Sequence, residues 1–402
     1  MGPLLLFDKS VLHVLTPPEI EELGMSFLLV GSPTLVREII ADLKKDAPAP
    51  GRVPEEMVRA LARKMVQAQG AQPANFRKLA MANLGGQHVP MFGQVPVDTS
   101  RPNVTITDEG RAMIYDVVPE QRLWQRWADG NFTTRDEDSA TAWRSGLQRV
   151  NLRALGTAWK DYVRRHFGNP RDIPTLVTAV DKHLSSPRPR TQTELLGILA
   201  EFLEMPQARY APIRTFLEHN IPLTTVAPYA ASVLRLYLTF VGAIATHQLG
   251  PRPSHYIDLQ YLFYTPFCMV FTSNDNLHER LWPATRGVNM YLNATVLKTL
   301  GTTARAARAG SPNVRARVSG AAREFSNYGS NGPIHENGPV TAEERGRHRS
   351  WPAHRRSAAH RPGQNQKRIQ HRRSDATGRG RPPLTKNPRN GLGKAKFPST
   401  LP

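Results

Sequence analysis

The sequence predicts an α/β fold in which helices cover both faces of a central parallel sheet, giving three α/β/α layers. The apolar run Leu-Leu-Leu-Phe at residues 4–7 is followed directly by Asp8, and the run Phe-Cys-Met-Val-Phe at residues 267–271 soon leads to Asp275. Short apolar runs without alternation are typical of strands covered on both faces. Parallel strands present their carboxyl ends at one edge, where ligands bind. Each aspartate alone is compatible with a solvated residue, but the pair favours a shared site on neighbouring strands.

Helix-start signals frame the next predicted strand. Residues 16–19, Thr-Pro-Pro-Glu, are a capping box with proline at the first helical position, which predicts a helix to about residue 23. A strand is predicted at residues 26–30. The Ser-Pro pair at residues 32–33 then starts a second helix by the same logic, and this helix carries an apolar stripe at helical spacing.

Two acidic residues lie in this second helix. Glu38 and Asp42 are four residues apart, so they share one helix face about one turn apart. That face is either the polar outer surface of an amphipathic helix, or it looks toward Asp8 across the edge of the sheet.

The long middle of the chain is predicted to be mostly helical, with a linker at residues 47–51, a helix at 54–69 and a strand at 104–106. Further helices are predicted at residues 122–127, 136–167, 173–184, 193–204, 210–219 and 225–249. Tryptophans at helical spacing indicate core positions at Trp124, Trp127, Trp143 and Trp159. Segment 226–246 is long and apolar, but Pro228 and Arg235 within it favour a buried core helix over a membrane span.

The last structured part is predicted to begin with a helix that Ser254 caps and that carries Asp258. Pro266 should end this helix after residue 265. The strand at residues 267–271 follows, then a helix at 276–281, a strand at 288–292 and a final turn from residue 295.

Charge is distributed unevenly along the chain, whose net charge is +20. Residues 301–402 contain 21 Lys and Arg and only 5 Asp and Glu, whereas residues 1–300 contain 32 and 28. A basic segment without apolar periodicity cannot bury enough surface to fold, so we expect a disordered tail. The tail is either an arm that holds RNA through phosphate contacts or an accidental extension read in a shifted frame. Nucleic-acid binding through the tail rests on composition alone.

Cysteine content and short motifs exclude several classes of site. The single cysteine, Cys268, lies in an apolar run, so we expect a structural role, and no intrachain disulfide or thiolate metal site is possible. There is no Gly-rich phosphate loop and no Cys/His zinc spacing. The apolar N-terminus lacks the basic flank of a signal peptide, so we expect a cytoplasmic protein.

Four acidic residues, taken in order, resemble the pattern of the PIN-like domains, a group of metal-dependent nucleases and inactive relatives. Asp8 follows the first strand in LLLFD, and Glu38 lies in the helix SPTLVREIIADL. Asp258 opens the helix YIDLQYL, and Asp275 follows the next strand in MVFTSND. The chain looks particularly like a bacterial subgroup with a long helical insertion. It departs from compact members because about two hundred residues separate Glu38 from Asp258.

The resemblance implies a site for one or two Mg²⁺ or Mn²⁺ ions and ribonuclease activity on single-stranded or structured RNA. Crowded carboxylates repel one another, and a hard divalent cation with oxygen ligands relieves that conflict. The implied metal and catalytic set is Asp8, Glu38, Asp258 and Asp275, with Asp42 as an extra acid that replaces or assists Glu38. Candidate contacts to substrate or to ordered water are Lys9, His255, Asn274 and His278.

The resulting domain organisation has four parts. Residues 1–46 and 254–300 form the PIN-like domain, residues 47–253 form a mostly helical insertion, and residues 301–402 form the basic tail. The alternative function is a catalytically silent PIN-like scaffold that binds a protein partner through the insertion. The near-neutral body favours the scaffold, because phosphate affinity comes mainly from Lys and Arg. The four retained acids favour the nuclease.

Overall fold

The computed structural model describes residues 2–45, 53–68, 70–91, 93–96, 103–107, 110–114, 119–205, 220–285 and 290–299, and it describes no side chains in the range 101–121. The predicted linker at 47–51, the predicted helix at 210–219 and the tail from residue 301 lie outside these residues. All described residues belong to one compact unit.

The described strands are β1 (Leu4–Phe7), β2 (Leu28–Gly31), β3 (Asn103–Thr107), β4 (Gly110–Ile114), β5 (Val270–Ser273) and β6 (Met290–Asn293). Four of them form an all-parallel sheet in the order β2-β1-β5-β6, while β3 and β4 pair as an antiparallel hairpin. Leu5 of β1 lies between Leu29 of β2 and Val270 of β5. The α/β class is confirmed, and so is the prediction that Asp8 and Asp275 follow neighbouring parallel strands.

Helices account for most of the remaining described residues. They are α1 (Lys9–Val14), α2 (Pro17–Ser26), α3 (Pro33–Ile40), α4 (Pro54–Ala68), α5 (Phe76–Leu84), α6 (Pro119–Ala128), α7 (Thr134–Gln148), α8 (Leu152–Phe167), α9 (Ile173–Leu184), α10 (Pro189–Phe202), α11 (Leu223–Val226), α12 (Pro228–Ala245), α13 (His255–Leu262), α14 (Asn276–Leu281) and α15 (294–299). Short 3₁₀ turns occur at Ala41–Lys44, Thr265–Phe267 and Trp282–Ala284. Many of the helices begin where a side chain accepts an otherwise unpaired backbone N–H, as Ser32 does for α3 and Asp172 does for α9.

Two predicted helices are each divided in two in the structure. The prediction of one helix at residues 136–167 was wrong, because Asn151 caps a new helix by accepting from the backbone N–H of Ala154. The predicted helix at 225–249 is broken at Ala227, since Pro228 has no N–H to continue it and instead starts α12.

The segment around Pro266 also differs from its prediction. The strand expected at 267–271 begins three residues later, because Pro266 lies in a 3₁₀ turn and parallel pairing starts only at Val270. Ser254 does not cap α13 as predicted: its own backbone is already helical and its side chain makes no capping bond. Neither change moves Asp258 or Asp275 out of its expected element.

The helices between residues 47 and 253 share one hydrophobic core with the sheet. Helix α12 is buried from Tyr229 onward and packs on α5, α8, α9 and α13, while α4 packs on α2. The four tryptophans predicted to be core residues and Cys268 are all buried. Among the described helices, Pro228–Ala245 is the one long and apolar enough to cross a membrane, and 94% of it is buried inside the fold. This matches the predicted core helix.

Asn83 provides a specific test of how α5 is joined to α12. Its Oδ1 accepts from the backbone N–H groups of Tyr229 and Ala230 at the start of α12, in a buried position. We predict that Asn83→Ala lowers the free energy of unfolding by about 2 kcal/mol, because two buried N–H groups lose their acceptor. Chemical denaturation measures this change.

The matched control is Asn151→Ala, which removes an exposed cap of the same chemistry. The control should cost less, about 1 kcal/mol, because water replaces the lost acceptor. An equal or larger loss in the Asn151 variant would contradict the role assigned to Asn83.

Candidate functional site

Asp8 occupies the carboxyl end of β1, and its carboxylate is buried and fully engaged. Its Oδ1 accepts from the Ser10 hydroxyl at 2.6 Å and from the Val11 backbone N–H at 3.2 Å, which caps α1. Its Oδ2 accepts from the Ser273 hydroxyl of the neighbouring strand β5 at 2.5 Å. The side chain therefore joins the ends of β1 and β5.

His278 completes this arrangement from α14 and is fully buried. Its Nε2 lies 2.8 Å from the backbone carbonyl of Asp258, which can only accept, so Nε2 carries a proton. Its Nδ1 lies 2.7 Å from the Ser273 hydroxyl. Because that hydroxyl gives its own proton to Asp8, Nδ1 must also donate. Both ring nitrogens are therefore protonated, and His278 is an imidazolium with Nδ1 3.4 Å from Asp8 Oδ2.

The pKa shifts of Asp8 and His278 agree with a charged carboxylate beside a charged imidazolium. Burial alone would lower the pKa of His278, but the hydrogen bond to Asp8 and its negative charge raise the pKa to about 9. Burial would raise the pKa of Asp8, yet His278, Ser10 and Ser273 together lower it below its usual value. The fold thus stabilises a buried ion pair next to the sheet edge.

The other three predicted acids lie close enough to interact with one another and with Asp8. Burial raises the pKa of Asp258 well above its usual value, and the charges of Asp275, Glu38 and Asp8 raise it further. Burial also raises the pKa of Glu38, whose Oε2 accepts from the Tyr261 hydroxyl at 2.6 Å. Asp275 caps α14 through its Oδ1. Asp258 is therefore electrostatically coupled to each of the other three predicted acids.

Two side chains at this edge have oxygen atoms without protein partners among the described residues. The partly exposed carboxylate of Asp258 has no hydrogen-bond or ion-pair partner within the described part of the chain, and the buried Oδ1 of Asn274 has none either. An all-oxygen donor set with excess negative charge fits a hard divalent cation in its chemistry. In the described ranges, however, no three His, Cys, Asp or Glu side chains converge closely enough to hold a metal ion.

Asp42 and Lys9 form a buried ion pair that the sequence analysis did not predict. Asp42 is buried and pairs with Lys9 Nζ at 2.7 Å and with Arg144 Nη2 at 3.1 Å. Lys9 Nζ also donates to the backbone carbonyl of Glu38. Two cations therefore contact the Asp42 carboxylate, and the Lys9 ammonium contacts both Asp42 and the backbone of α3. The pair fixes the end of α3 against α1.

His255 interacts with Asp275 and with two arginines that the sequence analysis did not single out, Arg252 and Arg280. These two arginines are called the basic rim. His255 Nδ1 bonds to the carbonyl of Gly250 at 2.8 Å, and Arg280 donates to the carbonyl of Gln248, so both side chains hold the same turn. Burial lowers the pKa of His255, while the nearby Asp275 raises it and the charges of both arginines lower it. His255 was predicted as a substrate contact; the two arginines were not.

Ser273, Ser10 and Tyr261 are also site residues that sequence reasoning missed. Each bonds directly to a predicted acid, Ser273 and Ser10 to Asp8 and Tyr261 to Glu38. For Ser273 a signal existed: it lies two residues before Asp275, at the end of an apolar run where a hydroxyl needs a polar partner. His278, by contrast, was considered as a substrate contact but acts on Asp8.

Comparisons of the chain with protein-family models, with curated proteins and with solved structures found no match. Any statement about function therefore rests on the residues of this site.

We predict that His278 titrates near pH 9 in the folded protein when a chelator is present. This pKa lies above the ordinary 6.5, so the pair's stabilisation through His278 is complete below about pH 6.5 and is lost as pH rises through 9. The contribution of Asp8 has the opposite sense, present above its ordinary 3.8 and lost as pH falls. NMR of the imidazole C–H signals measures the titration directly.

Asp8→Asn is the matched control for this titration. Removing the negative charge should shift the His278 pKa down by about one unit or more, because the two largest influences that raise it, the hydrogen bond to Asp8 and the charge of Asp8, are lost or weakened. A wild-type His278 that titrates at or below 6.5 would show that the buried ring is neutral and would contradict the assignment.

Proposed function

We propose that this protein is a divalent-cation-dependent ribonuclease with a PIN-like arrangement, in which helices flank both faces of the parallel sheet. The observation that supports it is the coupling of Asp8, Glu38, Asp258 and Asp275 at the carboxyl edge of β1 and β5. That edge is where ligands bind in open α/β sheets. The burial of Cys268 in a reduced state fits the proposed cytoplasmic setting.

Each acid has a distinct part in this proposal. Asp8, Asp258 and Asp275 would hold Mg²⁺ or Mn²⁺, with Glu38 beside them. The bound ion would activate a water molecule and stabilise charge on the scissile phosphate. His278 keeps Asp8 ionised and fixes its orientation through Ser273.

The basic rim provides positive charge, which the acidic cluster lacks and which binding of an RNA backbone requires. An acidic cluster repels the RNA backbone, so substrate binding requires cations beside it. Arg252 and Arg280 lie near His255, which itself interacts with Asp275. We assign the two arginines, as cations, and His255, as a hydrogen-bonding group, contacts to substrate phosphates that flank the cleaved one. Asn274, whose buried Oδ1 is unpaired among the described residues, would accept from an ordered water or contribute to the ion.

The second candidate is a catalytically silent scaffold that binds a protein through the helices of residues 47–253. One observation favours it: within the described ranges no three acidic or histidine side chains converge as a ligand set. A second is consistent with it, since Asp8 and Glu38 already have protein partners. Direct assay of cleavage separates the two candidates.

We predict that the full chain cleaves mixed single-stranded and structured RNA in Mg²⁺ or Mn²⁺ and that a chelator abolishes this activity. Asp258→Asn should lower the rate by at least about a hundredfold, because the site loses a negatively charged ligand. Gel-based cleavage assays measure both effects.

Asp138→Asn is the matched control, since it removes an exposed carboxylate of α7 without touching the site. Equal activity of the Asp258 variant and the control would assign the cleavage to a contaminant. No cleavage by the wild type in either ion would favour the silent scaffold.

The stability of two variants should change in opposite directions. Burial and like charges raise the pKa of Asp258, so its ionised form destabilises the fold once pH exceeds 3.8. We therefore predict that Asp258→Asn raises the melting temperature at pH 7 in a chelator. Asp8→Asn should lower the free energy of unfolding by about 3 kcal/mol, because it leaves the His278 cation without its partner.

Thermal melts in chelator, with and without added Mn²⁺, test this pair of variants. A stabilising ion should raise the melting temperature of the wild type more than that of the Asp258 variant. If both substitutions lower the melting temperature equally, Asp258 stabilises the fold as Asp8 does. The raised pKa assigned to Asp258 would then be wrong.

A further inference from the structure

We propose that the cavity between α4 and α6 is a binding site for a phosphate group. The cavity has a volume of about 430 Å³ and opens to solvent. It is lined by Arg59, Arg63, Val66, Gln67, Gln125, Ala128 and Asp129. A space of this size is within the range of small-ligand sites. The proposal does not depend on the ribonuclease proposal.

Two arginines give the cavity its chemistry. Arg59 and Arg63 are four residues apart on α4, so their side chains lie on one face of that helix. Neither makes an ion pair or side-chain hydrogen bond with any other residue in the described ranges. Arginine side chains that line a cavity without an acidic partner supply donors for an anion from outside.

Arg59 is held in place before any ligand arrives. Its side chain lies against Gly130, where an added Cβ would come within 3.1 Å of Nε and 3.3 Å of Cζ. Gly130 has a φ of +82°, which disfavours any residue with a Cβ. The Arg59 Nε is buried and has no hydrogen-bond partner in the described part of the chain. A buried donor without an acceptor is costly, and a ligand oxygen would satisfy it.

The one acidic residue of the lining does not fill this role. Both carboxylate oxygens of Asp129 accept from the Gln125 amide, at 3.1 Å and 3.3 Å. Two cations therefore face one anion that is already hydrogen bonded. A phosphate group has enough acceptor oxygens to receive both planar guanidinium groups at once, which a single carboxylate does less well.

The phosphate could belong to a free small molecule or to an RNA backbone, and two probes distinguish these sources. Calorimetry with inorganic phosphate at low salt measures the shared chemistry. Competition by a short single-stranded oligoribonucleotide, in a chelator to prevent cleavage, then identifies the source. Displacement of phosphate by the oligonucleotide indicates a backbone site, and binding of phosphate without displacement indicates a small phosphorylated ligand.

The variants are chosen so that folding does not obscure the result. Arg63 is exposed, so Arg63→Ala should leave the melting temperature unchanged while weakening phosphate binding by about tenfold or more. Arg59→Lys keeps the charge but loses the planar fork and should also weaken binding. Arg153→Ala removes an exposed arginine of α8 and should have no effect.

Two results would overturn the proposal. One is the absence of saturable phosphate binding by the wild-type protein at low salt. The other is an equal loss of binding in the Arg63 and Arg153 variants, which would mean that general surface charge attracts the anion.

Discussion

The arrangement of the elements at the carboxyl edge of the sheet depends on the hydrogen bonds that the buried carboxylate of Asp8 accepts. A buried charge without partners is strongly destabilising, so this position needs several donors. Ser10 and the start of α1 supply two of them, and Ser273 supplies the third from β5. His278 then contacts Ser273 on one side and the backbone of Asp258 on the other. One chain of hydrogen bonds thereby fixes β1, β5, α13 and α14 relative to one another.

The acidic residues near this edge are of two kinds, those whose carboxylates have protein partners and one whose carboxylate has none among the described residues. The carboxylates of Asp8 and Asp42 have cationic or hydroxyl partners. Asp258 has a raised pKa and, among the described residues, no partner for its carboxylate. The raised pKa means that the folded state disfavours the ionised form of Asp258. Such arrangements are expected mainly where a ligand compensates for them.

Local signals in the sequence predicted much of this architecture. The apolar run before Asp8, the capping box at Thr16 and the Ser-Pro pair at residues 32–33 each depend on near neighbours, and the corresponding elements appear where predicted. The α14 helix at 276–281 was also predicted correctly. By contrast, the start of β5 depends on its pairing with β1 across the chain, so the apolar run alone placed it three residues too early.

The sequence predicted the acidic residues of the site but not the residues that bond to them. Four acids in the expected order are visible in the sequence, because each sits beside a strand or in a helix with a clear pattern. Asp42 and Arg144 are 102 residues apart in the sequence, and Tyr261 and Glu38 are 223 apart. Local sequence patterns therefore cannot predict either contact. The sequence likewise suggested that the helices of residues 47–253 form a separate region, yet their apolar residues belong to the same core as the sheet.

The most direct test of the central claim is anomalous diffraction from crystals of the full chain soaked in Mn²⁺. We expect a Mn²⁺ peak at the carboxyl edge of β1 and β5, with the carboxylate of Asp258 among its ligands, and no such peak in Asp258→Asn crystals. An edge without Mn²⁺ at saturating concentration, in crystals where the ion binds elsewhere, would contradict the assignment of these acids to a metal site.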